Sequence, residues 1–142
     1  MSFLFHTYFT KITHFLFSAL LLISFAKSSY SQIKKENKLV IGRLELSNQK
    51  YKSAIEKFNA VIKKEDNNAE AFYFRGIAKS ELGDLIGAEE DLTKAIKLDS
   101  RNLECYIIRA STRNQLLKYK EAFDDFKMAI ELDSTNSKIY LN

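Results

Sequence analysis

Residues 35–68, 69–102 and 103–136 align on one another, 34 positions each, without a gap. Ala54, Ala88 and Ala122 share one position, and Phe58, Leu92 and Phe126 share another four residues later. Val61, Ala95 and Ala129 coincide, as do Ile62, Ile96 and Ile130. Small residues recur at Gly42, Gly76 and Ala110, and Tyr51, Leu85 and Tyr119 also match. A unit this short cannot bury an apolar face alone. Its neighbours must stack on it around a continuous core, with each unit touching only the next.

Each unit divides into two helices. In the second, the pattern predicts one over 70–82 and another over 85–98, with Gly83-Asp84 turning the chain between them. Asn67, Asn68, Asn102 and Asn136 are candidate helix caps at the junctions. Gly76 and Ala88 are small enough for paired helices to approach closely, while Phe72, Leu92 and Leu98 fill the space around them. The chain has no proline and four glycines, which permits an all-helical fold. Its 46% hydrophobic and 28% charged residues are a globular rather than a disordered composition.

The stretch AEAFYFRGIAKSELGDLIGAEEDLTKAIKLDS resembles a tetratricopeptide repeat over its full length. Phe72 and Tyr106 match the family's aromatic position, Gly42 and Gly76 its glycine, and Ala88 with Leu92 and Ala122 with Phe126 its Ala-x3-Phe element. The resemblance covers residues 35–136. Lys38 departs from the aromatic position of the first unit. Asp66, Ser100 and Ser134 stand where the family has proline, and Arg75 and Arg109 where it has leucine.

The resemblance implies an all-α fold, a right-handed superhelical stack of antiparallel helix pairs whose first helices line a concave peptide-binding groove. Carried over by repeat position, that groove would be lined by Leu39, Tyr73 and Ile107, and then by Arg43, Ile77 and Ser111. Glu36, Glu70 and Glu104 would border it on one side, with Leu46, Ser80 and Asn114 as a further row. The alternative is an ordinary solvated helix face, on which acidic residues near helix N-termini favour the macrodipole. Some family members clamp the C-terminal carboxylate of chaperone tails. The matching positions here are Leu39, Arg43, Phe74, Glu104 and Ile108, of which only Arg43 suits a carboxylate.

The first and third units differ at the arginine. Arg75 is accompanied by Asp91 and Arg109 by Asp125, each sixteen residues on, whereas the first unit has Ile41 and Lys57 at those positions. A cation beside a tightly packed helix pair needs a counter-charge, so Arg75–Asp91 and Arg109–Asp125 are predicted ion pairs.

Residues 1–31 read as a secretory signal peptide. Lys11 precedes the apolar run His14–Ala26, which is short for a span of about 20 residues. Ser29-Tyr30-Ser31 offers a cleavage site before Gln32. An uncleaved anchor is the other reading, and it would be the chain's sole membrane contact. Export places the protein in a periplasm or outside the cell. The whole chain carries +4, and Lys11 and Lys27 leave with the signal, so the remainder carries +2. That charge is too mild to argue for nucleic acid.

Both histidines, His6 and His14, also leave, and the remainder has one cysteine, Cys105. Glu89-Glu90 and Asp124-Asp125 are adjacent pairs, so their carboxylates point about 100° apart on a helix and suit a solvated face better than catalysis. Cys105 suits helix packing better than nucleophilic attack. No phosphate-binding loop or metal-ligand spacing is present, and neither a cofactor nor a metal is expected. These features favour a non-catalytic adaptor binding a protein or peptide. Two rivals remain: an enzyme, or the N-terminal part of a longer protein, since residues 137–142 (SKIYLN) read as the start of a fourth unit. The short stub after Leu132 predicts an open C-terminal end to which a partner or another copy could adhere.

Overall fold

A computed structural model describes residues 20–27 and 38–140, with side chains as far as Ser134. Six helices follow the helical stretch 20–27: α1 (38–47), α2 (Tyr51–Ile62), α3 (Ala69–Glu81), α4 (Leu85–Leu98), α5 (Leu103–Gln115) and α6 (Tyr119–Tyr140). No strand occurs among the described residues. The cleavage triplet, Gln32, Glu36 and both histidines lie outside them.

Paired helices join through one turn used three times. Gln49, Gly83 and Leu117 occupy the same repeat position, and all three have positive φ, of 60°, 83° and 61°. Each donates its N–H to the carbonyl three residues back: Leu46, Ser80 and Asn114. The next N–H, of Lys50, Asp84 or Lys118, reaches five residues back to Glu45, Lys79 or Arg113. Both bonds together form a Schellman closure, which satisfies the last carbonyls of the first helix. Only Gly83 adopts this backbone without a Cβ penalty. Leu117 bears the penalty on a side chain that is 70% exposed and contributes little packing. Leu117→Gly should therefore raise the unfolding free energy by about 0.5–1 kcal/mol, since relief of left-handed strain exceeds the added chain entropy. A denaturant midpoint below that of the unaltered chain would reject this.

Side-chain caps start the inner helices. Asn68 Oδ1 accepts from the Ala71 N–H, Asp84 Oδ1 from Gly87 and Asn102 Oδ1 from Cys105. Asn67 does not cap. Asn136 is not a cap either, because α6 runs through it to Tyr140 without a break. At the two inner junctions a following first helix packs against the preceding second helix, α3 on α2 and α5 on α4. Among the described residues no such helix packs on α6, and continuing the helix satisfies the backbone at least cost. Residues 137–140 thus extend α6 rather than open a fourth unit.

Size complementarity sets the packing inside each pair. A Cβ on Gly42 would lie 2.6 Å from the Phe58 ring, and one on Gly76 would lie 2.9 Å from Leu92 Cγ. Ala54, Phe58, Ala88, Leu92 and Ala110 are fully buried, and Ala122 nearly so. Phe72, Ala95, Ile96, Cys105, Tyr106 and Ala129 form a continuous apolar cluster across the second and third units. Two expected core residues depart from this pattern. Leu98 is partly exposed at the end of α4, and Phe126 is 42% exposed, with no helix among the described residues packed over it.

Candidate functional site

The first helices carry the proposed groove residues. Leu39 and Arg43 stand on α1, Glu70, Tyr73 and Ile77 on α3, and Glu104, Ile107 and Ser111 on α5. Of these three helices, α3 and α5 touch directly. Tyr73 and Ile107 are half-buried, each with one side against the apolar cluster. Leu39 and Ile77 are half-buried as well, while Arg43, Glu70, Glu104 and Ser111 are exposed. In the further row, Leu46 and Ser80 are half-buried and Asn114 is exposed. Burial, followed by the Glu104 charge, raises the Tyr73 phenol above its ordinary pKa. That coupling brings the acidic border of one unit close to the aromatic row of the preceding one.

Two features of this face were not evident from repeat positions. Arg43 Nη1 donates to Glu70 Oε1 at 3.2 Å, tying α1 to α3 across the first junction. Its guanidinium also lies 5.1 Å from the centroid of the Phe74 ring. Phe74 is tilted against Tyr73 at 4.9 Å and stacked on Phe58 at 5.8 Å. Arg43, the one matching position that suits a carboxylate, is thus already engaged. The signal in the sequence was the pairing of an arginine in one unit with a glutamate 27 residues later.

A second constellation lies between successive second helices. Arg75 grips Asp91 with two bonds, Nε to Oδ2 at 2.8 Å and Nη2 to Oδ1 at 2.6 Å. Arg109 grips Asp125 in the same way at 2.9 and 2.6 Å. Both predicted pairs therefore form, with the aspartates buried. Each arginine also donates backwards, Arg75 to Asn59 Oδ1 and Arg109 to Thr93 Oγ1, so the pairs link neighbouring units. Lys79 adds a contact to Asp91 and Arg113 one to Asp125, each at 2.9 Å.

Arg113 and Lys118 also meet Glu89 at 2.8 and 2.5 Å. Burial opposes charge on Glu89, but the hydrogen bonds from Lys118 and Arg113 outweigh it and hold the carboxyl below its ordinary range. Glu89, expected to be a solvated face charge, is instead structural; Asp125 is structural through its predicted pair with Arg109. The role of Glu89 was hidden in its own helix, because its partners Arg113 and Lys118 come from the next unit. Cys105 is buried in the apolar cluster, and burial pushes its thiol up to about 12. At neutral pH it is a protonated packing group rather than a thiolate nucleophile.

The tetratricopeptide repeat family model matches residues 69–102. The Arabidopsis OM64 TPR domain is 31% identical, with a TM-score of 0.68, over 71% of this chain and 84% of that domain. This chain belongs to the tetratricopeptide repeat family. The second TPR of Spaghetti (RPAP3), solved bound to the HSP90 peptide SRMEEVD, is 28% identical with a TM-score of 0.67, over 69% of this chain and 91% of that one. The TPR2B domain of yeast Sti1, solved as a pHsp70 complex, shares the fold at 22% identity and a TM-score of 0.71, over 75% and 85% of the two chains. No curated protein sequence matches the chain. This TPR protein is an all-α solenoid, and proteins of its fold typically act as non-catalytic scaffolds that bind other proteins.

Proposed function

We propose that this TPR protein is an exported, non-catalytic adaptor whose first-helix face binds an extended peptide or protein segment. The observation that carries the reading is the aromatic pair Tyr73–Phe74 at the middle of that face; the second TPR of RPAP3, of the same fold, was solved bound to a peptide. Glu70 and Glu104 flank Tyr73, and Arg43 is neutralised by Glu70. The face therefore favours an apolar or basic segment and disfavours an acidic one. Leu39, Phe74, Glu104 and Ile108 supply no cation at the positions where chaperone-tail binders carry their clamp, so an acidic C-terminal tail is a poor ligand. The open end of α6 is a separate surface, to which the groove reading does not apply.

A random peptide library captured on the chain should enrich apolar residues with Lys or Arg and deplete Asp and Glu. Tyr73→Ala should weaken the enriched peptides by about 1–2 kcal/mol. Glu70→Lys should mainly slow their association and flatten its salt dependence. Enrichment of acidic peptides, or binding undiminished by both changes, would move the site off this face. Export rests on the apolar run and the small residues after it. No helix among the described residues is long and apolar enough to cross a membrane. Material recovered outside the cytoplasm should have an intact mass beginning at Gln32; a retained Met1 would overturn the cleavage.

A further inference from the structure

The two ends of the stack differ from the interior at matching repeat positions. At the C-terminal end Phe126 is 42% exposed where Phe58 and Leu92 are 0%, and Ile130 is 70% exposed where Ile96 is 8%. At the N-terminal end Leu44 is 60% exposed where Ala78 and Thr112 are 0%, and Val40 is also open. Each end is thus the uncovered half of a repeat junction. Glu45 on α1 adds a polar signal: its Oε2 is buried with no hydrogen-bond partner.

Junctions inside the molecule pair fixed repeat positions, and these set the register in which the ends would meet. Phe58 stacks on Phe74, which places Phe126 opposite Val40. Arg75 reaches Asn59 and Arg109 reaches Thr93, which places Lys127 opposite Ile41. Arg113 reaches Glu89, which places Phe123 opposite Glu45. Lys127 then lies one helical turn from Glu45, within reach of two long side chains. Lys127 otherwise meets exposed Glu131 at 3.9 Å, an interaction of little strength.

We propose that the N-terminal face of one copy docks on the C-terminal face of another, so that chains stack head to tail in continuation of the repeat. At the second inner junction the incoming first helix supplies a cation, Arg113, to Glu89 of the preceding second helix. Here the signs are exchanged: the incoming first helix supplies Glu45 and the preceding second helix supplies Lys127. A heterologous contact of this kind extends into chains unless it closes into a ring.

The test uses the full chain with Val40→Cys and Phe126→Cys, joined by a short bismaleimide; Cys105 stays buried. A mixture of the two single variants should give a cross-linked dimer that neither gives alone, and the double variant should give a ladder. Adding Lys127→Glu to the Phe126→Cys chain should lower the dimer yield about fivefold, and Glu45→Lys in the other chain should restore it. No dimer in the mixture, or equal dimer from either variant alone, would overturn the proposal. Should a cysteine variant lose its helical circular dichroism, sedimentation of chains without added cysteines decides. Lys127→Glu alone should then dissociate the assemblies and Lys127→Glu with Glu45→Lys should recover them; any other order of sizes overturns the proposal.

Discussion

In chains dilute enough to stay apart, replacing Phe58 with alanine should lower the unfolding free energy by about 3–5 kcal/mol, while the same change at Phe126 should cost about 1 kcal/mol. Both phenylalanines hold one position of the repeat, so composition and local sequence do not distinguish them. Phe58 is fully buried, occupying the space over Gly42 and stacking on Phe74 of the next unit. Truncation there leaves a cavity that close-packed helices cannot collapse around. Phe126 is 42% exposed in the isolated chain, so truncation removes less buried surface and water fills the gap. Urea unfolding of the two variants, with slopes compared, separates the cases. As the protein concentration rises, the loss at Phe126 should grow toward that at Phe58, because another copy then covers the ring; equal losses in dilute chains would reject the prediction.

Asp91→Ala should cost about 3 kcal/mol. Asp91 is 4% exposed and receives two bonds from Arg75 and a third contact from Lys79. Its removal leaves two partly buried cations facing each other without a counter-charge. The expected loss sits at the low end for a broken buried pair, because Arg75 and Lys79 keep some access to water. Changing Arg75, Lys79 and Asp91 together to apolar residues of similar volume should restore most of it, since the cost lies in orphaned charge rather than in the lost bond. The first unit already lacks the device, with Ile41 and Lys57 in place of the arginine and aspartate. If the single change cost no more than the triple one, the network would add nothing to the junction beyond packing.

Much of the molecule was legible from its period. An ungapped repeat of 34 residues, rich in helix formers and lacking proline, leaves an all-helical stack of pairs as the economical fold, because each pair needs a neighbour to cover its apolar side. The arginine–aspartate pairs were legible for a similar reason. A charge placed on a packed helix demands its opposite, and the sequence varies both together. Gly42 and Gly76 announced close approach through their lack of a side chain.

What the repeat could not convey lies where the stack ends or where neighbouring units meet. Register alone predicts a cap at Asn136, yet a helix ends there only if a following helix packs on it. Among the described residues no helix receives it, and the backbone of α6 continues to satisfy itself to Tyr140. Register likewise makes Phe126 a core residue, although burial depends on what comes next in space rather than on position in a motif. The engagement of Arg43 by Glu70 and of Glu89 by Arg113 and Lys118 crosses from one unit to another. Local sequence therefore determined which residues form helices and which faces must be covered. Only the tertiary structure decided which of those faces are covered and which charges are free, because both depend on groups brought together from distant parts of the chain.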